Sequence, residues 1–314
     1  MTANAQPSTK RRRTATAVAV AAALTGILAG CGHSTPTAAS GTAAVSSPVS
    51  TPAPVSVLHM ITNQGHRLAF HVTPGHLPAI VLDAGGGLDS SYWKDIVPVL
   101  AKNTGSEIIT YDREGMGASD EVPGPWKVQN AVSDLETGLN VLGATHDVIL
   151  VSHSEAGEIA TYITREHPGQ FAGAVLVDAS LPQFYTDTEI ARVAAGTQAQ
   201  LDALKGRPTT KADRQLLAVA ADYVPAHRAY HRISWPTSVP ATVIVSAQTP
   251  FPASAPDAQA WRTAQAEFAA AAPDRQLVTA AHSSHDIPLD RPDIVEAQIE
   301  AMAQRTSPSP TPAG

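Results

Sequence analysis

The chain has 314 residues, 43% of them hydrophobic, with 21 basic and 28 acidic side chains and a net charge of −7. That apolar content suffices for a buried core, while the acidic balance lacks the basic stripe that phosphate binding requires, so nucleic acid is not an expected partner. The single cysteine leaves no internal disulfide and no cysteine-based metal site.

In chain order, Lys10, Arg11, Arg12 and Arg13 form a basic start, followed by the uncharged apolar run Ala17 to Ala29. The run is too short for an ordinary membrane span and reads as a targeting segment. It ends in Leu28, Ala29, Gly30 and Cys31, which resembles the lipobox of bacterial lipoproteins, where small residues fit the signal peptidase and the cysteine thiol takes the lipid. The resemblance implies a signal peptide over 1–30, a lipid on Cys31 and an extracytoplasmic, membrane-anchored protein. The alternative is an ordinary signal peptide with a chance cysteine. Cleavage before Cys31 removes four of the 21 basic residues and none of the 28 acidic ones, leaving a net charge of −11.

Residues 31–55 are rich in Ser, Thr, Ala, Pro and Gly and hold almost no large apolar side chains. Such a segment cannot bury enough surface to offset its ordering entropy, so a disordered tether is expected. Residues 306–314 have the same character.

The body, 56–305, alternates short β-branched runs with helical stretches, which predicts an α/β fold with a mostly parallel sheet and helices on both faces. Val55 to Ile61 and Arg67 to Val72, joined through Asn63, Gln64 and Gly65, read as a leading hairpin. The next strands are expected at Ala79 to Leu82, Ile108 to Tyr111, Val148 to Val151, Ala174 to Val177, Thr242 to Val245 and Gln276 to Val278. After Ser154, Ala156, Ile159, Ala160 and Ile163 recur at helical spacing, and that helix should stop near His167 and Pro168. Residues 181–238 interrupt the rhythm with Ala-rich and Leu-rich helical segments, an inserted cap able to shape a pocket.

The segment Val148 to Ala156 is an apolar strand, a turn with small residues two places before and after Ser154, and a helix start. It resembles the nucleophile elbow of the α/β-hydrolase family. The family usually has glycine two places before and after the serine; here Ser152 and Ala156 stand there, still small enough for the strained turn. The resemblance makes Ser154 the nucleophile and the N–H of Glu155 one donor to a developing oxyanion. Gly85, Gly86 and Gly87 after a strand stand where the family puts its second oxyanion donor, with Gly86 as the candidate. A plain loop is the other reading, and a phosphate cradle fits poorly because no phosphate-loop motif follows. Tyr111 to Ser119 resembles the family's loop after the next strand, with Asp112 and Arg113 shaping it.

A base for Ser154 is sought among 12 histidines. His285 follows the last strand and precedes Ile287, Pro288, Leu289, Asp290, Arg291 and Pro292, the start of a terminal helix, which matches the family's placement of its catalytic histidine. His282 is the near rival, and His153 is expected to pack beside the nucleophile. The family's usual acid position is bare, because Ser246 to Pro250 contains no carboxylate and Asp257 comes late. Asp178 ends the strand beside the nucleophile strand, the place used by some haloalkane dehalogenases and by pancreatic lipases. It is therefore assigned to orient His285, with Asp257 as the rival.

This arrangement implies a serine esterase acting on small ester-like substrates through an acyl-enzyme, without a cofactor. No metal-ligand set is recognisable in the sequence, since His282 and His285 lack a third partner nearby. The contrasting reading is a catalytically inactive surface protein that binds a ligand, suggested by the altered elbow and by the carboxylate of Glu155 beside the serine.

Overall fold

The computed structural model describes residues 55–206 and 210–306. The basic leader, Cys31, the tether up to residue 54 and the tail beyond residue 306 lie outside the described residues. Within them, no helix is long and apolar enough to cross a membrane.

The hairpin comes first: β1 (Val57–Asn63) pairs antiparallel with β2 (His66–Thr73), and Asn63 faces His66 across a two-residue turn. Gln64 and Gly65 both have positive φ, at 48° and 90°, the combination that matches a hairpin turn to the right-handed twist of its strands. Strands β3 (His76–Asp83), β4 (Ser106–Asp112), β5 (Val148–His153), β6 (Phe171–Val177), β7 (Ala241–Ser246) and β8 (Arg275–Ala280) complete an eight-stranded sheet of order β1-β2-β4-β3-β5-β6-β7-β8. From β4 to β8 all neighbours are parallel. The central strands are continuous apolar runs because helices cover both their faces, and every residue of β5 and β7 is buried.

Two apolar cores lie on opposite faces of this sheet. On one, α1 (Val97–Thr104) and the terminal helix pack through Leu100, Val295, Ile299 and Met302 against Ile80, Ile149 and Val175. On the other, α2 (Val128–Leu142) and α3 (Ala156–Glu166) bring Leu135, Leu139, Ile159 and Ile163 against Val81 and Leu150. The periodic face expected for α3, Ala156, Ile159, Ala160 and Ile163, is entirely buried, and the helix ends at Glu166 just before His167 and Pro168.

Between β6 and β7 the chain runs through α4 (Asp187–Lys205), α5 (Lys211–Ala220) and α6 (Tyr223–Tyr230). After β7 come α7 (Ala255–Ala270), β8, the single turn α8 (Ile287–Asp290) and α9 (Pro292–Thr306). The sequence suggests one terminal helix from Ile287 onward; the structure divides it at Arg291, whose φ of −138° leaves the helical region. The cause is Pro292, whose ring disfavours helical geometry in the residue before it.

Gly138 of α2 shows how tightly the helices seat, because a Cβ placed there would lie 1.9 Å from the ring of Phe70 on β2. Helix propensity alone favours Gly138→Ala by about 1 kcal/mol, but overpacking of a rigid ring costs roughly 1–3 kcal/mol. Gly138→Ala is therefore expected to lower the urea midpoint, while Gly169→Ala, where nothing lies within 4 Å of the added carbon, stays within about 0.5 kcal/mol of the parent. Equal stability of the two variants refutes the packing account.

Candidate active site

Parallel strands bring their carboxyl ends to one edge of the sheet, where loops can converge. Ser154 leaves the end of β5, Asp178 the end of β6, and His285 the loop after β8. Ser154 has φ 54° and Asp178 φ 41°, left-handed conformations that non-glycine residues rarely adopt and that cluster at functional sites. The serine turn is held on both sides: its N–H donates to the Val177 carbonyl at 3.2 Å, and its carbonyl accepts from Ser180 N at 2.8 Å and Gly157 N at 2.9 Å. Close approach also demands a bare Cα at Gly157, where a Cβ would come within 2.4 Å of the Ser180 carbonyl oxygen.

His285 Nε2 lies 2.8 Å from Ser154 Oγ, and its Nδ1 lies 2.7 Å from Asp178 Oδ2. Asp178 is wholly buried. Burial alone raises a carboxyl pKa, yet hydrogen bonds from His285, Ser246 and Trp261 outweigh it and hold Asp178 below the usual carboxylate range. Ser246 contributes both its N–H, at 3.1 Å, and its hydroxyl, at 2.5 Å, and Trp261 Nε1 donates at 2.8 Å. Every one of these donors favours the ionised acid. Ser246 ends β7, so the strand that lacks a carboxylate supplies hydrogen bonds to the carboxylate of its neighbour.

The rivals lie elsewhere. Asp257, also buried, is held at the start of α7 by Arg192 Nη1 at 2.6 Å and by the Ser254 hydroxyl. His282 is exposed and turns away at φ 60°. His153 stacks on Tyr92 and lies tilted against His285, with ring centroids at 4.9 and 4.8 Å.

The N–H groups of Gly86 and Glu155 make no main-chain hydrogen bond among the described residues. That of Glu155 stands at the N-terminal end of α3, where helical N–H groups lack internal acceptors. Arg113 secures this corner from beneath: its Nη2 donates to the Gly85 carbonyl at 2.5 Å, Nη1 lies 3.3 Å from Glu155 Oε1 and Nε 3.8 Å from Asp83. Burial raises the pKa of Glu155 and the guanidinium counters that, so the carboxylate beside Ser154 does not stand alone. Asp112 accepts from Ser90 N and Ala118 N and so ties the loop after β4 to the loop after β3.

Ser154 and His285 open into a cavity of about 320 Å³, walled largely by Phe184, Val193, Leu201, Leu216, Val219 and Tyr223 from the segment between β6 and β7. Tyr230 and His227 anchor that segment to α3, the Tyr230 hydroxyl lying 2.9 Å from Thr161 Oγ1. Both ring nitrogens of His227 face acceptors, Tyr223 O at 2.7 Å and Glu158 Oε1 at 2.8 Å. Burial lowers the pKa of His227, but the Glu158 carboxylate outweighs it and the net shift is upward. Neither Ser246, Trp261 nor the pair Glu158 and His227 is signalled by sequence spacing; only the serine at a strand end opposite a bare acid position hints at Ser246.

Residues 80–298 match the sequence model described as "Alpha/beta hydrolase family". The non-heme chloroperoxidase of Streptomyces lividans is 33% identical over 107 residues, 33% of this chain and 37% of that protein. The non-heme haloperoxidase of Rhodococcus erythropolis is 32% identical over 111 residues, 35% of this chain and 39% of that protein. The chain thus spans less than two fifths of the length of these curated relatives. Among solved structures, a thermophilic esterase from Thermogutta terrifontis superposes with a TM-score of 0.55 at 21% identity, covering 80% of this chain and 99% of that one. That likeness is one of fold.

Burial and the neighbouring His285 push the His153 imidazole down to about 3. In the unfolded chain the same group takes a proton near pH 6.5. Its contribution to stability is therefore complete above that value and declines as the pH falls toward 3, by on the order of 2 kcal/mol at pH 5. Urea titrations at pH 7 and pH 5 should show a smaller pH dependence in His153→Phe than in the parent. Parallel pH profiles refute a neutral buried His153.

Proposed function

Since the chain belongs to the alpha/beta hydrolase family, we propose that it is a serine hydrolase cleaving carboxylic esters through an acyl-enzyme on Ser154. One observation carries the reading: a serine raised on a left-handed strand-to-helix turn lies 2.8 Å from an imidazole whose other nitrogen is bound to a buried, ionised aspartate. A fold alone does not assign an activity, but this geometry is what proton transfer from a nucleophile requires.

In the proposed reaction, Ser154 Oγ attacks the ester carbonyl while His285 Nε2 takes the hydroxyl proton. Asp178 keeps its charge and stabilises the imidazolium through Nδ1. The carbonyl oxygen becomes an oxyanion that the N–H groups of Gly86 and Glu155 receive, a donor pair in which each member is worth roughly a hundredfold to a thousandfold in rate. Collapse of the tetrahedral species breaks the bond to the alcohol, which leaves with the proton held by His285. Water then attacks the acyl-serine, giving its proton to His285, and release of the carboxylic acid returns the proton to Ser154. A serine at this position, rather than a carboxylate, disfavours the epoxide-opening and dehalogenating chemistry possible in the same fold. The apolar cavity wall suits the hydrocarbon part of a substrate.

Ahead of the fold, Cys31 is the proposed lipid attachment point, which places the hydrolase on the outer side of a membrane. This part of the proposal rests on the sequence of the leader.

A fluorophosphonate probe is expected to label the parent chain and to fail on Ser154→Ala and His285→Ala, with far-UV circular dichroism unchanged. Folded parent protein that resists the probe refutes the hydrolase and leaves a ligand-binding protein. With p-nitrophenyl butyrate, Asp178→Asn should lose roughly 10³–10⁴-fold in kcat, and Asp257→Asn much less. The reverse order moves the acid to Asp257. Cys31→Ser should shift the protein from the membrane pellet to the soluble fraction of its native host, and unchanged partitioning removes the anchor.

A further inference from the structure

A second cluster of chemistry-bearing side chains joins three separate parts of the chain. His66 opens β2, Glu114 lies in the loop after β4 and Asp134 is on α2, and one donor atom from each lies within 4.8 Å of the others. His66 Nε2 is 3.0 Å from Asp134 Oδ2, and Asn63 Nδ2 donates to Asp134 Oδ1 at 2.7 Å. Glu114 is only 5% exposed, yet its Oε2 has no hydrogen-bond partner.

A buried carboxylate oxygen without a partner is costly, and native structures rarely keep one without reason. The cluster holds two carboxylates and one imidazole, so its acids outnumber its base. Arg113, next to Glu114 in the chain, does not correct this imbalance by contact, because its guanidinium is engaged with Gly85, Asp83 and Glu155. A divalent cation meets both requirements at once: it gives the Glu114 carboxylate a partner and offsets two negative charges.

We propose that His66, Glu114 and Asp134 form a binding site for a zinc-class divalent cation. An imidazole with two carboxylates suits a first-row transition ion, since imidazole ligation discriminates against magnesium and calcium. Three protein ligands leave a fourth tetrahedral position. The ion clasps the leading hairpin to α2 and to the loop after β4, the same loop from which Arg113 reaches the turn at Gly85. Its role is therefore structural, and it is independent of the reaction at Ser154.

The test uses the full chain freed of metal with EDTA and dialysed against zinc chloride. The parent is expected to bind one zinc per chain saturably and to melt at a higher temperature with zinc than without, as any ligand of the folded state requires. Glu114→Gln preserves the side-chain shape and His66→Asn removes the imidazole. Each should weaken the stoichiometric binding at least tenfold and abolish the zinc-dependent rise in melting temperature, with unchanged circular dichroism. The comparison is needed because exposed histidines also take up zinc. Absence of saturable binding by the parent, as follows if a proton on Glu114 balances the cluster instead, overturns the site. So does binding by both variants with the affinity of the parent.

Discussion

The whole arrangement depends on the backbone of one residue. At φ 54° Ser154 opens the two-residue turn between a fully buried strand that ends at His153 and a helix that starts at Ala156, which lifts its hydroxyl off the sheet edge instead of folding it into the core. A non-glycine residue holds such a conformation only when its surroundings over-determine it. Three main-chain hydrogen bonds and the bare Cα of Gly157 do so here. Ser152 and Ala156, both wholly buried, are small enough for the turn to close without the more usual glycines.

Around that turn, charge is balanced by pairing inside the protein. Asp178 is out of contact with water and stays ionised because three different elements direct donors at it. Arg113 likewise sits among Asp83, Glu155 and the Gly85 carbonyl, so one guanidinium offsets part of the charge of two carboxylates, one ending β3 and one following β5, and fixes the glycine turn. Such groups stabilise as sets. Removing one member leaves the others buried and unpaired, which is more damaging than the loss of one contact. The rigidity that results is what the proposed proton transfer from Ser154 to His285 needs, since transfer requires a fixed donor–acceptor distance.

The segment between β6 and β7 packs against the chain after β7 in a third apolar cluster, where Phe184, Ile190 and Val193 meet Phe251 and Trp261. Trp261 belongs to that cluster and also donates to Asp178, so the walls of the cavity and the orientation of the acid share one side chain. His227 and Glu158 make a similar connection between α6 and the helix that begins at the serine. Changes in the cavity wall are therefore mechanically close to the site's polar framework.

Much of this was legible in the amino-acid order, because local chemistry dictates it. Continuous β-branched runs specify buried parallel strands, the spacing of Ala156, Ile159, Ala160 and Ile163 specifies the buried face of α3, and an apolar strand leading to small residues two places either side of Ser154 specifies the turn. Tertiary structure alone decided between residues that are chemically alike. Asp178 and Asp257 are both buried acids, and only the positions of Arg192 and Ser254 show that the second is already engaged. His282 and His285 differ by three places, and a left-handed φ turns the first into solvent. The support given by Ser246, Trp261 and Arg113, and the meeting of His66, Glu114 and Asp134, join residues far apart in the chain. No periodicity encodes them, because distance along a polypeptide says nothing about distance across a folded sheet.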